Sequence, residues 1–212
     1  SSPAIYGNNI SENDQSGVWV DNGSSPVIDQ NLISGNQKMV GSESSSSAGI
    51  YGVSCSPVIT NNTITQNLDR SNKAYGTGIR IGTTTSVGSP AIMFNEITWH
   101  NDSSGWGIYL ENCNAYVYRN NITYNGNGGY FGKGSSQIER NRLDSNYLQT
   151  IPVTGYGVRD GGHSYYSLNS ITRSVTGVWL ADNSLSQFSD CTITDRQPRE
   201  GRYIAVAAAH AA

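Results

Sequence analysis

The sequence predicts an all-β solenoid of about eight coils, each made of three short strands, with a base period near 22 residues. Two observations predict this fold class: a ten-residue segment recurs along the chain, and a glycine-led segment lies between its copies. The composition agrees with both. Only 14% of the residues are charged, and the abundant Gly, Asn and Ser favour turns over helices.

The first repeated segment has the pattern Ser-Pro-x-Ile-x-x-Asn-x-Ile-Ser/Thr and is clearest at residues 2–11, 25–34, 56–65 and 89–98. Four less regular copies follow. One apolar residue anchors each of the eight copies: Ile5, Ile28, Ile59, Ile92, Val117, Ile138, Tyr166 and Phe188. Successive anchors lie 21 to 33 residues apart, so insertions lengthen the base period. The alternation of apolar and polar residues predicts two short strands per copy, joined by a tight turn.

A row of asparagines accompanies the anchors. The residue three positions after the anchor is Cys191 in the last copy and Asn in the other seven: Asn8, Asn31, Asn62, Asn95, Asn120, Asn141 and Asn169. Equivalent residues of stacked coils lie about 4.8 Å apart, so these amides can form a hydrogen-bonded ladder. We interpret the row as structural and expect the asparagines to adopt the left-handed backbone of a sharp bend.

The glycine-led segment predicts a third strand that presents one side chain per coil to the outside, two positions after the glycine. These outward residues are predicted to be Trp19, Tyr51, Arg80, Tyr109, Phe131, Arg159 and Trp179. Such a row can stack on sugar rings and pair with sugar carboxylates. The alternative interpretation is that the aromatic residues only stack on one another and stabilise the sheet.

The insertions indicate where a cleft would form. Extra residues at 37–47, 68–75 and 147–154 are predicted to leave the solenoid at one corner, beside the outward row. Loops displayed on a rigid scaffold commonly carry function. The floor of the predicted cleft is Tyr109 and Phe131, with the arginines of the row at its ends.

Candidate catalytic residues lie at this predicted floor. Glu111 and Asp160 are two coils apart, a distance that suits the two carboxyl groups of an inverting glycoside hydrolase, although Asp160 has an inward register. An elimination reaction would instead use Lys133 or Arg159 as its base, with arginine neutralising a uronate. The sequence leaves binding without turnover, a lyase and a hydrolase open.

These features fit a parallel β-helix, and over residues 1–197 the chain resembles the right-handed, pectin-lyase-like superfamily of that fold. The resemblance rests on the Ser-Pro-x-Ile-x-x-Asn-x-Ile-Ser/Thr unit, which is similar to the short repeats of carbohydrate-binding and sugar-hydrolase members. It implies a secreted, cell-surface or periplasmic protein that binds or processes a polysaccharide or oligosaccharide. The catalytic motifs of polygalacturonases, pectate lyases and uronate epimerases are not found in the sequence. A structural spacer or adhesin segment without a ligand is therefore a further alternative.

Residues 198–212 depart from the repeat and are predicted to form a last strand or cap, or to be an added tail. Because the first copy begins at residue 2, we expect further domains of a longer chain. A row of outward Ser and Thr residues on the second strand, interrupted by Asp144, raises ice binding as a further alternative.

The sequence also argues against several classes of partner. The net charge of −3 gives no basic surface for nucleic acid. No apolar run approaches the roughly 20 residues of a membrane span. Cys55 and Cys113 share a register position two coils apart, about 9.6 Å, which is too far for a disulfide. The histidines and cysteines lack metal-ligand spacing, so we expect neither a metal nor another cofactor.

Overall fold

A computed structural model describes residues 2–21, 23–36, 48–68, 76–82, 87–100, 105–147, 155–181 and 184–194, together with the backbone of 204–208. The described chain forms eight coils of three strands. Coils 1 and 2 contain β1 (Ala4–Tyr6), β2 (Asn9–Ser11), β3 (Val18–Val20), β4 (Val27–Asp29), β5 (Leu32–Ser34) and β6 (Ala48–Val53). Coils 3 and 4 contain β7 (Val58–Thr60), β8 (Thr63–Thr65), β9 (Thr77–Gly82), β10 (Ala91–Met93), β11 (Glu96–Thr98) and β12 (Trp106–Glu111). Coils 5 and 6 contain β13 (Tyr116–Tyr118), β14 (Asn121–Thr123), β15 (Asn127–Phe131), β16 (Gln137–Glu139), β17 (Arg142–Asp144) and β18 (Tyr156–Asp160). Coils 7 and 8 contain β19 (Tyr165–Ser167), β20 (Ser170–Thr172), β21 (Thr176–Leu180), β22 (Gln187–Ser189), β23 (Thr192–Thr194) and β24 (Ile204–Ala208).

The strands form three parallel sheets of eight strands each, one per side of the solenoid. Sheet A consists of the first strands of the coils, from β1 to β22; sheet B consists of the second strands, from β2 to β23; and sheet C consists of the third strands, from β3 to β24. This architecture confirms the predicted fold class, the three strands per coil and the number of coils. The final strand, β24, lies in the segment beyond residue 197 and pairs with β21.

The anchors of the repeat form the core. In sheet A they pair one above the other, as Ile28 with Ile59 and Ile92 with Val117. The anchors from Ile28 to Tyr166 are at most 1% exposed. β-branched side chains suit these positions because they pack well against the pleated surface of a sheet.

The corners between strands contain residues in the left-handed conformation. The residue just before the asparagine of the ladder has a positive φ, as at Asn61 (54°), Phe94 (58°) and Arg119 (51°). The expectation that the asparagine itself would be left-handed is therefore wrong. The asparagine instead stabilises the corner through its side-chain hydrogen bonds.

The predicted asparagine ladder is confirmed. In a typical rung, the backbone N–H and the Nδ2 of Asn62 both donate to Oδ1 of Asn95, at 2.9 and 3.0 Å. The same Nδ2 donates to the carbonyl oxygens of Thr60 and Ile28, at 2.9 and 2.8 Å. Each rung thus satisfies backbone groups of two coils, and buried polar groups need such partners. The row ends at Cys191, whose Sγ lies 3.8 Å from Nδ2 of Asn169.

A second ladder, which the sequence analysis did not predict, lies at the next corner. Its members are Asn13, Asn36, Asn67, His100, Asn125, Asn146 and Ser174, where the amides repeat the geometry of the first ladder. His100 takes the place of an asparagine and is fully buried. Nε2 of His100 lies 3.2 Å from Nδ2 of Asn67, and its Nδ1 lies 2.9 Å from Oδ1 of Asn125. Because an amide nitrogen donates and an amide oxygen accepts, these contacts fix the neutral tautomer with the proton on Nδ1.

The Ser and Thr row of sheet B is not the flat exposed array that ice binding requires. Thr98, Thr123 and Asp144 follow one another in this row and are 7%, 2% and 1% exposed. Burial at the middle of this row argues against the ice-binding alternative.

Cys55 and Cys113 are both buried and unbridged, as the register argument predicts. Burial raises the pKa of the Cys55 thiol to about 11 and that of Cys113 to about 12. Neither thiol is therefore a ready nucleophile at neutral pH.

Candidate functional site

The outward row of sheet C runs along the solenoid as predicted, except at one position. We call it the sheet C ridge, and its members are Trp19, Tyr51, Arg80, Tyr109, Tyr130, Arg159 and Trp179. Each of these residues pairs directly with the next in the register of the sheet. All seven are half-buried or exposed.

Phe131 is not on this ridge, contrary to the prediction. It is 1% exposed and lies in the core, and Tyr130 takes the outward position. The reason is the double glycine of β15. Gly129 pairs with Ile108, so it occupies a core position without a side chain. A Cβ atom on Gly129 would lie 2.6 Å from the ring of Phe131, which shows that this ring fills the vacated space.

The centre of the ridge is a column of two arginines and two tyrosines. The guanidinium carbon of Arg80 lies 4.9 Å from the ring centroid of Tyr109, and that of Arg159 lies 5.7 Å from the centroid of Tyr130. The two tyrosine rings stack on each other at 4.4 Å with an interplanar angle of 17°. Cation–π and stacking contacts therefore cover both faces of both rings. What the column presents to a ligand is its ring edges, its hydroxyl groups and its guanidinium groups.

Glu111 lies beside the two tyrosine hydroxyls. Tyr130 is hydrogen-bonded to Glu111 and to Tyr109 through their side chains. A methyl group at Gly132 would clash with the Glu111 carboxylate, so the glycine leaves room for this acid. Burial, and then the charge of Glu111, raise the pKa of Tyr130 and of Tyr109 above the ordinary value of a phenol. Both hydroxyls are therefore protonated at neutral pH, and their protons are engaged within this cluster.

Two further aromatic residues, the buried Trp106 and the half-buried Tyr156, pack against the ridge and were not predicted from the sequence. The Trp106 ring lies 5.6 Å from that of Tyr130 and stacks 6.3 Å from that of Tyr156 at 5°. Tyr156 in turn meets Trp179 edge-on at 5.9 Å. Both residues flank the glycine of their strand, and aromatic residues directly before the strand glycine are the sequence signal that identifies them.

The first two members of the ridge form a separate pair. The rings of Trp19 and Tyr51 lie 4.6 Å apart at 43°. Trp19 is 52% exposed, the highest exposure of any aromatic residue on this ridge for which a side chain is described.

The four residues considered for catalysis have different environments. Glu111 is half-buried, and Lys133 and Arg159 are exposed. Asp160 is fully buried: it accepts hydrogen bonds from the Tyr166 hydroxyl at 2.5 Å and from the Gly162 N–H at 2.7 Å. A carboxyl group sealed in the core cannot reach a polymer on the surface. Glu111 and Asp160 therefore do not form the carboxyl pair of an inverting hydrolase.

The predicted walls of the cleft lie mostly outside the described residues, since 37–47, 69–75 and 148–154 are not among them. Within the described part of the chain, no group of three His, Cys, Asp or Glu side chains is arranged to hold a metal ion. The same residues include no helix long and apolar enough to cross a membrane.

Comparison with known proteins identifies one family. The family described as "Right handed beta helix region" matches residues 1–87 and 70–210, two overlapping stretches that together cover nearly the whole chain. This match confirms the predicted right-handed parallel β-helix. Neither the curated proteins nor the solved structures gave a match.

Proposed function

The chain belongs to the right-handed β-helix family, and from that premise we propose that it binds an acidic polysaccharide along the sheet C ridge. The observation that carries the proposal is the column of Arg80, Tyr109, Tyr130 and Arg159. It combines two positive charges with two hydroxyl groups on one outer face. Guanidinium groups pair with carboxylates, and hydroxyl groups suit the oxygens of a sugar.

The mode of contact follows from the stacking within the column. Because the faces of Tyr109 and Tyr130 are covered, the ligand meets their edges and hydroxyls rather than lying flat on their rings. A polymer parallel to the solenoid axis would then contact one ridge residue about every 4.8 Å. Arg80 and Arg159 are three coils apart, so they are placed to take two acidic groups along one chain.

The charge of the ridge favours an acidic ligand over a neutral one. Arg80, Arg159 and the nearby Lys133 outnumber Glu111, the one acid at the centre of the ridge among the described residues. Glu111 is engaged with the Tyr130 hydroxyl. An anionic polymer is expected to bind more weakly as salt is added, since exposed charges are screened.

Two alternatives make different predictions for the same experiment. A lyase or hydrolase would release product, and Glu111, Lys133 and Arg159 would be its candidate groups. A structural spacer would bind no glycan, and the mutual coverage of the ring faces specifically favours it, because such stacking stabilises neighbouring coils.

The test is a binding titration of polygalacturonate, alginate, hyaluronan and neutral dextran, with every mixture also assayed for reducing ends and unsaturated products. Tyr130→Phe keeps the stacked ring and removes the hydroxyl, and we expect about fivefold weaker binding from one lost hydrogen bond. Arg159→Gln removes a charged partner and should weaken binding by about tenfold or more.

Matched controls lie on sheet A and at the corner that follows it. Tyr165→Phe removes the hydroxyl of a tyrosine that is 46% exposed, and Arg119→Gln removes an arginine stacked on Tyr118 at 5.2 Å. Both should bind as the unmodified chain does. Equal losses in ridge and control variants would contradict the assigned surface, and no binding to any polymer would favour the spacer. Product that disappears in Arg159→Gln would make the protein an enzyme.

A further inference from the structure

A second exposed row of aromatic and cationic side chains lies at the corner that follows sheet B. It consists of Trp99 and Tyr124 in the neighbouring coils 4 and 5 and of Arg173 in coil 7, which occupy equivalent left-handed positions with φ of 64°, 58° and 53°. We call it the corner ridge. Trp99 and Tyr124 directly follow β11 and β14, so they lie on the sheet B side of the corner.

The aromatic part of the corner ridge is a tight stack. The rings of Trp99 and Tyr124 lie 4.8 Å apart with an interplanar angle of 11°, yet the residues are 40% and 38% exposed. Stacked rings share their faces, so much of what they expose is their edges. Aromatic edges are electropositive. Among the described residues, neither the indole N–H nor the Tyr124 hydroxyl has a hydrogen-bond partner.

The cationic part is held in place by a buried acid. Asp144 is 1% exposed, and its Oδ1 accepts from Nε of Arg173 at 2.6 Å, while its Oδ2 accepts from Nη2 of the same arginine. Oδ2 also accepts from Nη2 of Arg142 at 2.5 Å, and Oδ1 accepts from the Thr172 hydroxyl at 2.8 Å. The side chains of Arg142 and Arg173 nevertheless remain 52% and 54% exposed.

This arrangement leaves an excess of one positive charge. Burial alone would raise the pKa of Asp144, but the hydrogen bonds from Arg173 and Thr172 hold it below its ordinary value. The acid is therefore ionised at neutral pH, and it neutralises one of its two arginines. Since Asp144 fixes both guanidinium groups before any ligand arrives, little side-chain entropy would be lost on binding.

We propose that the corner ridge is a second binding site for an acidic oligosaccharide, separate from the sheet C ridge. Carboxylate or sulfate groups of the ligand pair with Arg173 and Arg142, and its hydroxyl oxygens accept from Trp99 and Tyr124. Charge complementarity selects this class of ligand: the exposed donors and cations recognise an anion that is rich in oxygen acceptors. The two ridges flank the same corner of the solenoid, one on sheet B and one on sheet C.

The residues found at this corner in other coils show which substitutions its left-handed backbone accepts. Gln66 and Ser145 occupy the equivalent positions in coils 3 and 6 and are also left-handed. Trp99→Gln and Tyr124→Ser therefore remove the aromatic stack without a new backbone demand. Phe94→Asn is the matched control, because Phe94 is 46% exposed at the other left-handed corner and Asn61 precedes it there. Circular dichroism of each variant checks that it is folded.

The test is a ¹H–¹⁵N NMR titration that follows the indole signals of Trp99, Trp106 and Trp179, assigned by Trp→Phe variants. The probes are tetragalacturonate and a heparin-derived tetrasaccharide, with cellotetraose as the neutral control. We expect the Trp99 signal to shift with an acidic probe. Tyr124→Ser should raise the midpoint of that shift by about fivefold, as expected for one lost hydrogen bond. Phe94→Asn and Arg159→Gln should leave it unchanged.

The outcomes separate this inference from the proposed function. If Trp106 and Trp179 respond and Trp99 does not, the corner ridge is rejected and the sheet C ridge stands. If Trp99 alone responds, the corner ridge stands and the proposed function fails. A Trp99 response that is as strong with cellotetraose, or that Tyr124→Ser leaves unchanged, would also overturn the inference, as would silence of all three signals.

Discussion

The buried histidine of the second ladder makes the stability of the solenoid depend on pH. His100 is fully buried, and burial lowers its pKa from 6.5 to about 4. Its contacts explain why protonation is unfavourable: Nε2 would have to donate toward Nδ2 of Asn67, which is itself a donor. The imidazolium would then have an unsatisfied N–H in a buried site.

The sign and size of the effect follow from linkage. Between pH 6.5 and 4 the unfolded chain binds a proton at His100 that the folded chain excludes, so stability is fully present above pH 6.5 and is lost as the pH falls toward 4. For these two pKa values, the free energy of unfolding should fall by about 2.5 kcal/mol between pH 7.5 and pH 4.5 from this residue alone.

His100→Asn should remove this loss. An asparagine there would accept from Asn67 through Oδ1, as Asn67 accepts from Asn36 in the previous rung. At pH 7.5 we expect the variant to unfold within about 1 kcal/mol of the unmodified chain, because the ladder hydrogen bonds are replaced in kind. Urea unfolding followed by circular dichroism at pH 7.5 and 4.5 gives the two free energies for each protein.

The control is His163→Asn, which changes an exposed histidine. This variant should lose stability on acidification as much as the unmodified chain does. The reasoning is refuted if His100→Asn loses the same free energy between the two pH values as the unmodified chain, whatever its stability at pH 7.5.

Two further predictions concern the ladders. Asn62→Ala should lower the free energy of unfolding by about 3 kcal/mol or more, since it leaves several buried backbone groups unsatisfied. Asn61→Gly keeps a residue that accepts the left-handed φ of 54° and loses only an exposed hydrogen bond to Asp29, so it should cost under about 1 kcal/mol. Urea unfolding of both variants measures the contrast, and equal costs would contradict the assigned role of the ladder. Ser174→Asn should raise the free energy of unfolding by about 1 kcal/mol, because the hydroxyl of Ser174 is buried without a partner and an amide there would continue the row from Asn146. A lower urea midpoint for this variant would show that the site has no room for the amide.

The sequence predicts the solenoid well because each coil repeats the same interactions. The anchors, and Asn62 with its equivalents, recur at matching positions in the coils. A copy with an irregular pattern can therefore be recognised by aligning it with the regular copies. Alignment of the copies gives the wrong outward residue where a copy deviates from the repeat. The double glycine before Tyr130 and Phe131 allows two registers, and only packing decides that the phenylalanine fills the space above Gly129.

The second ladder was missed because its spacing to the anchor is regular but its residue type is not. His100 and Ser174 replace asparagine there, and a single histidine in the sequence does not indicate that it belongs to a row of asparagines. The corner ridge was missed for a different reason. It depends on the hydrogen bond from Arg173 to Asp144 of the preceding coil. The spacing of residues along the sequence does not indicate such a contact between side chains of different coils.

Both ladders also give the solenoid an electrical direction. In every described contact between one asparagine side chain and the next, Nδ2 donates toward the C-terminal neighbour and the side-chain oxygen accepts from the N-terminal one, as from Asn31 to Asn62 and from Asn36 to Asn67. Strand dipoles alternate and nearly cancel in a sheet, whereas these amides all align. His100 follows the same orientation, because its Nε2 accepts from Asn67 and its Nδ1 donates to Asn125. Each row of amides is therefore to this solenoid what aligned peptide groups are to an α-helix: a source of polarity along its axis.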